Sequence, residues 1–485
     1  MLNDVKCKES VKIVCENGEY SYNMLKEYID IYKNRLYSLG LNELKTVAVI
    51  IEKSYLNLLV TCVLIEFGCI ILYIDSNNKF LFKEILAAYQ PDYIIACKEI
   101  LCYNFYKEIS KLVFFEHNMF IYQLKKNSTM WKNIINNDMY NGSFVFFTSG
   151  TSQMPKAVLR TRNNIMHDAL HNIQTFSITQ KDIIVCAVAF NHVYGFGSGV
   201  MPYLFAGSKI IFVNPFTTTK KLTNVLIEKQ ATIFVGLPIH YKILLESDIT
   251  QLEIRLALSA GSSLSTDINT DFYKKFGVCI NNMYGMSETG AISTYYNFRK
   301  LADGGDNNCG TPLKGVKVMC RDIGEGNEYG VINVCSDSVS DGYIMPFSGE
   351  IKAIKDKEGW YGTNDIGYID ANNCIHIKGR IENIFSISGK KINSETIEKV
   401  VKRFPGIEEA VVIGQKDDLK DTVLIVYIVQ NDTVALDELK SFLYDKLPSY
   451  CIPKEYYIIE KIPKSKNGKI LKNKLMIEKV NNITN

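Results

Sequence analysis

Ser143-Phe144-Val145-Phe146-Phe147-Thr148-Ser149-Gly150-Thr151-Ser152-Gln153-Met154-Pro155-Lys156 runs from an apolar, strand-like stretch into consecutive hydroxyls around a glycine, then closes on Pro-Lys. Hydroxyls and backbone N–H groups on a tight loop can wrap phosphate oxygens, and a lysine adds the charge. A P-loop needs G-x-x-x-x-G-K-[ST]. Here Gly150 is followed at that spacing by Pro155-Lys156-Ala157, so the P-loop reading fails at two positions. An ordinary Ser/Thr-rich surface turn has the same composition, and the surrounding chain must decide between them.

On either side of this loop, from about residue 45 to 285, short β-rich runs alternate with amphipathic stretches. Thr46–Ile51, Tyr93–Ala96, Ile183–Ala187, Lys209–Val213, Thr232–Val235 and Val278–Met283 read as buried strands. Ser54–Glu66, Arg162–Thr175 and Thr218–Lys229 read as helices. This alternation predicts an α/β fold with helices on both faces of mostly parallel sheets. After Gly310 the texture turns to short strands and Gly-, Asn- and Asp-rich turns, a small β-rich subdomain. From about Arg380 a third texture begins, with helical Ser394–Arg403 and Leu436–Leu447 and strand-like Ala410–Ile413 and Val423–Val429. The division expected is therefore a large N-terminal domain, 1–379, and a small α+β C-terminal domain, 380–485.

The 485 residues are 47% hydrophobic and 22% charged, which is ordinary for a packed core and excludes a disordered chain. A net charge of +3, from 55 basic and 52 acidic residues, is too small to make nucleic acid or an anionic membrane the main partner. The first residues, Met1-Leu2-Asn3-Asp4-Val5-Lys6, carry charge where a signal peptide would need an apolar run. The most apolar segment, Leu56–Ile74, is broken by Asn57, Glu66 and Gly68 and reads as a buried strand–helix piece. The thirteen cysteines are scattered without a C-x-x-C pair, as reduced small hydrophobes would be. A cytoplasmic protein is expected.

Four further constellations carry chemistry. Asn282-Met283-Tyr284-Gly285-Met286-Ser287-Glu288-Thr289 follows a buried strand, where open α/β sheets place their ligands. An aromatic ring there can stack on a base, an amide can read its edge, and a carboxylate can hold Mg2+; a plain strand-to-loop corner fits as well. In Tyr361-Gly362-Thr363-Asn364-Asp365-Ile366-Gly367-Tyr368 the aspartate can take both hydroxyls of a ribose, or simply serve a turn. Gly379-Arg380-Ile381-Glu382-Asn383 falls where the texture shifts, followed by Ser394, which reads as a helix cap. Pro463-Lys464-Ser465-Lys466-Asn467-Gly468-Lys469-Ile470 lies in a basic stretch with eight lysines against three glutamates from Lys454 onward. Such runs are usually solvated, but Gly468 beside Lys469 also suits a flexible loop that delivers an ammonium to a distant site.

In this order and spacing the segments resemble the ANL adenylate-forming superfamily: acyl- and aryl-CoA ligases, peptide-synthetase adenylation domains and luciferases. Tyr20-Ser21-Tyr22-Asn23-Met24-Leu25, Gly68 with Tyr73-Ile74-Asp75, and Ser259-Ala260-Gly261-Ser262-Ser263-Leu264 are similar to further family motifs. The resemblance implies an ATP-dependent ligase in which a carboxylate attacks the α-phosphate of ATP, giving acyl-AMP and pyrophosphate, and a thiol then displaces AMP. It implies that Thr148, Ser149, Gly150, Thr151, Ser152 and Lys156 cradle the β,γ-phosphates. Ser262, Asn282, Met283 and Tyr284 would serve the adenine, Ser287 the α-phosphate side and Glu288 the Mg2+. Asp365, assisted by Arg380, would hold the ribose. Lys469 would bridge carboxylate and α-phosphate, and the small domain would swing about Glu382, where relatives usually carry Asp or Lys. Gln153, Ala157 and Asn364 depart from the pattern, each standing where glycine is common.

Ala189-Phe190-Asn191-His192-Val193-Tyr194-Gly195-Phe196-Gly197 resembles the acid-pocket segment of acyl- and aryl-CoA ligases, with His192 flanking the acyl group. His192, Val193, Tyr194, Ser198, Gly261 and Gly285 are the expected pocket residues. Amino-acid-activating relatives carry an aspartate in this stretch to pair the substrate ammonium. None stands here, so an aromatic or medium apolar acid is expected. Coumarate-type ligases place lysines after the pivot to meet CoA; Ser386 and Ser388 stand there, with Lys390 and Lys391 nearby. The thiol is thus CoA or the phosphopantetheine of an acyl or peptidyl carrier protein. Readings from other classes fare worse. An NTPase or phosphotransferase would make ADP and meets the failed P-loop spacing; a non-catalytic relative would be expected to lose Lys469, Glu288 or Asp365. An oxygenase on the same scaffold would consume oxygen.

Overall fold

The computed structural model describes residues 12–15, 18–41, 44–74, 79–100, 106–114, 117–125, 129–148, 154–262, 264–295, 308–322, 329–387, 390–416, 422–432, 434–464, 470, 472 and 475. It is a mixed α/β structure that separates into two compact units. The larger comprises Met1–Met319, Asn333–Tyr361 and Ile369–His376; the smaller comprises Cys320–Ile332, Gly362–Tyr368 and Ile377–Asn485. Two stretches that the sequence leaves in the larger domain therefore group with the smaller unit.

The larger unit is built on two nine-stranded sheets. The first has the spatial order Ile351–Ala353, Gly342–Ile344, Lys156–Arg160, Phe144–Thr148, Ile70–Tyr73, Thr46–Ile50, Tyr93–Ala96, His117–Leu124 and Tyr106–Phe114. Its four central strands, Phe144–Thr148 through Tyr93–Ala96, run parallel and its margins antiparallel. The helix Ser54–Glu66 connects two of them, with every residue from Ser54 to Ile65 buried. A helix apolar all round belongs inside a protein, and each fully buried Leu, Val or Ile there contributes about 1.5–3 kcal/mol.

The second sheet has the order Thr311–Pro312, Gly290–Thr294, Ile280–Met286, Leu256–Ser259, Ile233–Gly236, Ile183–Cys186, Lys209–Phe212, Lys12–Cys15 and Gly18–Ser21. From Ile280–Met286 to Lys12–Cys15 all neighbours are parallel. Helices Arg162–Phe176, Thr219–Glu228 and Thr266–Phe276 start on Thr161, Thr218 and Ser265, whose hydroxyls accept backbone N–H groups of the first turn. The parallel pairing puts the carboxyl ends of Ile233–Gly236, Leu256–Ser259 and Ile280–Met286 side by side, where ligands of open sheets bind.

In the smaller unit, Ile407–Lys416, Thr422–Gln430 and Glu455–Ile458 form a three-stranded sheet, and Ser394–Val401 and Leu436–Lys446 are its helices. Ile397, Val401, Val412, Val426, Ile428, Leu439 and Leu443 make its core. Lys317–Asp322, Gly330–Cys335, Tyr361–Ile369 and Ile375–Arg380 form a separate four-stranded sheet. Among the described residues the cysteines are free, and no helix is long and apolar enough to cross a membrane.

Candidate active site

In the larger unit the loop after strand Ile280–Met286 presents Glu288, only 8% exposed. A carboxylate this buried needs partners. The Tyr343 hydroxyl donates to Glu288 Oε1 at 2.8 Å, and the Tyr361 hydroxyl lies 3.4 Å from that of Tyr343. Burial, and next the charge of Glu288, push the Tyr343 phenol well above its ordinary pKa. It therefore stays protonated, and a donor, throughout the neutral range. The Lys156 ammonium lies 5.1 Å from the centre of the Tyr343 ring, within cation–π range. Lys156 opens its strand directly beyond the hydroxyl-rich loop. Lys156, Tyr343 and Glu288 thus converge, although they lie far apart in sequence. Among the described residues no group of three His, Cys, Asp or Glu side chains could cage a metal ion. A lone carboxylate beside a lysine fits Mg2+, which keeps waters and binds through one or two carboxylates plus substrate phosphates.

Residues are sorted along strand Ile280–Met286 by its alternation. Asn282 and Tyr284 share one face; Met283 points to the other and is buried. Contact between Met283 and a nucleotide would thus come through its backbone. Asn282 sits opposite Ser259 of the neighbouring strand, and both Asn282 Oδ1 and Ser259 Oγ are buried without a hydrogen-bond partner. Orphaned acceptors at the carboxyl end of a parallel sheet are what a base edge with N–H donors would satisfy. The strand slips register between Tyr284 and Gly285 against Gly290–Thr294. A Cβ at Gly285 would strike the Gly290 carbonyl, so only glycine fits this bulge. Gly261 and Ser262 are exposed at the end of the adjoining strand, with Gly261 at φ +89°.

The expected acid-pocket segment forms a single turn of π-helix, Tyr194–Ser198, preceded by half-buried His192 and Val193. Such turns are frequent at functional sites. Ser198 is buried. The Tyr194 hydroxyl donates to the carbonyls of Leu258 (3.0 Å) and Gly236 (3.2 Å), which fixes its ring at the sheet's carboxyl ends. Phe190 and Phe196 pack with Tyr73 and Phe144 at centroid distances of 4.8 to 6.3 Å.

In the smaller unit Arg380 Nε lies 3.0 Å from Asp365 Oδ1. The Asp365 backbone N–H donates to Thr363 Oγ1, whose own proton goes to the Ile332 carbonyl. Asn364, between them, has φ +63°. Asparagine is among the few residues that tolerate this left-handed conformation, so it fills a glycine's place at modest cost. Glu382 falls in the short turn Ile381–Asn383. Ser149, Gly150, Thr151, Ser152 and Lys469, and the side chains of Glu382, Ser386, Ser388, Lys390 and Lys391, lie outside the described residues.

Sequence reasoning passed over Tyr343, Arg160 and Asp168. Tyr343 could have been noticed as an aromatic after a strand-opening glycine. The other two form a fully buried ion pair, with Arg160 Nη2 3.3 Å from Asp168 Oδ2.

A family model described as AMP-binding enzyme matches residues 4–344, and one described as AMP-binding enzyme C-terminal domain matches residues 396–469. A 2-succinylbenzoate–CoA ligase of Listeria monocytogenes is 27% identical over 467 residues, covering 96% of this chain and 95% of that protein. A 4-coumarate–CoA ligase of Arabidopsis thaliana is 24% identical over 345 residues, 68% of this chain and 60% of its own. Among solved structures, ATP-bound MatB of Rhodopseudomonas palustris superposes with a TM-score of 0.77 at 20% identity, covering 98% of this chain and 97% of its own. The o-succinylbenzoate CoA synthetase MenE of Bacillus subtilis, in complex with ATP and magnesium ion, gives 0.74 at 19% identity over 96% of both chains. These structural likenesses concern the fold.

Proposed function

Since this chain belongs to the AMP-binding enzyme family, within the ANL adenylate-forming superfamily, and is an AMP-forming acid–thiol ligase, we propose that it couples an aromatic or medium apolar carboxylic acid to coenzyme A. The observation that carries the nucleotide half of this reading is the buried Glu288 carboxylate, held by the Tyr343 phenol beside Lys156. Here Lys156 and the hydroxyls and backbone of Thr148, Ser149, Gly150, Thr151 and Ser152 bind the β,γ-phosphates. Glu288 holds Mg2+, which when bound offsets charge on the ATP phosphates. Asn282 and Tyr284 take the adenine, together with Ser262 and the Met283 backbone, and Ser287 takes the α-phosphate side. Asp365 and Arg380 take the ribose, and Lys469 supplies the ammonium for the carboxylate and α-phosphate. The domain boundary at 379/380, with Glu382 as pivot, belongs to the same proposal. The chemistry requires little more than orientation and charge stabilisation at a crowded phosphate.

The pocket segment supports the choice of acid. His192, Val193, Tyr194, Ser198, Gly261 and Gly285 line the acyl site and bring no carboxylate to it. Asp168, which abuts Gly197, is already paired with Arg160 and is not available to a substrate ammonium. An α-amino acid would leave its charge unpaired. Two of the CoA ligases named above act on acids bearing an aromatic ring, 2-succinylbenzoate and 4-coumarate, which favours CoA as the thiol. Ser386 and Ser388, where lysines would meet CoA, keep a phosphopantetheinyl carrier protein as the second reading. A panel of acids assayed for pyrophosphate release, with CoA and carrier protein offered separately, tests both. Turnover of aryl or medium-chain acids with CoA is expected; preference for an α-amino acid, or turnover with carrier protein alone, contradicts it. A cytoplasmic location is part of the proposal.

A further inference from the structure

Arg160 and Asp168 are wholly inaccessible to solvent. A buried ion pair is seldom retained for stability alone, because desolvating both charges costs about as much as their attraction returns. What surrounds this pair indicates a different use. Arg160 Nη1 donates to the Ser287 carbonyl at 3.1 Å, immediately before Glu288. Asp168 Oδ1 accepts the Ala291 backbone N–H at 3.2 Å, three residues after Glu288. The pair therefore grips the Glu288 loop on both sides. The same carboxylate fills the space that a Cβ at Gly290 would need. A Cβ at Gly197 would come within 2.5 Å of Asp168 Oδ2, so the carboxylate also abuts the π-helical turn of the acid pocket. The Asn172 amide donates to the Asp168 backbone carbonyl at 2.8 Å, and Ser340 N–H donates to the Glu288 carbonyl at 2.7 Å.

We infer that Arg160 and Asp168 are positioning residues for adenylation: a buried brace that fixes the Ser287–Ala291 segment, and with it the Glu288 carboxylate, against the acid-pocket turn. This rests on the reading in which Glu288 serves the Mg2+ and phosphate site. Neither residue touches a reacting atom; both act through the backbone of the loop.

Arg160→Lys tests this, because a lysine can face Asp168 as a point charge but cannot fork to the Ser287 carbonyl as well. Calorimetric binding of Mg2+·ATP, with no acid present, is expected to weaken about tenfold, and half-saturating Mg2+ in turnover to rise by a similar factor. The KM for the acid is expected to change far less. The double variant Arg160→Leu/Asp168→Ser removes both charges together, avoiding a lone buried charge, and is expected to show the same weakening. A merely structural pair would shift the melting temperature and leave the Mg2+ dependence of the folded protein as it was. Mg2+·ATP affinity within twofold of wild type in both variants overturns the inference. Glu288→Gln separates the two claims. If it alone loses Mg2+·ATP affinity, the brace fails and the Glu288 reading stands; if it binds normally, that reading fails.

Discussion

The hydroxyl of Tyr343 donates to Glu288 Oε1 at 2.8 Å across an interval of 55 residues. This bond joins the strand Gly342–Ile344 of one nine-stranded sheet to the loop that follows Ile280–Met286 of the other. It also places the carboxylate beside the ring over which Lys156 lies.

Tyr343→Phe removes that bond and little else. A hydrogen bond to a charged group contributes about 1.5–3 kcal/mol, so adenylation is expected to slow by roughly one to two orders of magnitude, with the fold retained. Burial holds the folded-state pKa of Tyr343 above 10, so the donor persists through the neutral range. Above pH 10 the unfolded chain releases this proton while the folded chain keeps it, and stability contributed by Tyr343 falls as pH rises further. Pyrophosphate-release rates of the variant at pH 7 to 9 check the first claim; rates equal to wild type would contradict it.

Asp365→Asn leaves the guanidinium of Arg380 without its carboxylate partner and removes the charged acceptor proposed for the ribose. The KM for ATP is expected to rise roughly ten- to a hundredfold, and the KM for the acid is not. Steady-state kinetics with ATP varied decide this. An unchanged KM for ATP would show that Asp365 serves only its turn.

Lys469→Ala is expected to cost on the order of 10²–10³ or more in adenylation, by analogy with loss of a preorganised donor. ATP–pyrophosphate exchange reads this step directly. Normal exchange in the variant would remove Lys469 from the mechanism.

His171 offers a stability test away from the reacting groups. Burial lowers its pKa to about 4, with the His167 ring 6.2 Å away adding to the shift and Asp337 opposing it. The histidine folds neutral, so the unfolded chain binds more protons below pH 6.5. Its contribution is complete above that value and declines towards pH 4 by a total on the order of 3 kcal/mol. Between pH 7 and 4.5 the urea midpoint of wild type should fall further than that of His171→Phe. Parallel curves would contradict the shift.

Most of the scaffold was legible because its strands and helices are marked by local pattern. Ser54–Glu66, rich in Leu, Val and Ile, forms the expected helix over those residues. Ile183–Ala187 and Lys209–Val213 each form a strand one residue shorter than expected. The hairpin Tyr106–Phe114 with His117–Leu124 went unmarked, since Lys107, Glu108 and Lys111 interrupt its apolar alternation. The Lys12–Cys15 strand is too short to announce a parallel partner some 200 residues away. Motif order singled out Glu288, Lys156 and Asp365 as candidates. It could not locate the brace, because an arginine ending a strand and an aspartate on a helix both read as solvent-facing groups. Their meaning comes from Ser287, 127 residues beyond Arg160, and only the packed sheets bring it near. Asn364 looked like a departure from pattern; its left-handed backbone shows that it answers the same conformational demand as a glycine.

The most direct measurement follows the label of α-³²P ATP incubated with an aryl acid, first alone and then with CoA. Label should appear in an acyl-adenylate bound to the enzyme and, once CoA is added, in free AMP together with an acyl thioester. Label recovered in ADP, with or without CoA, would contradict the account.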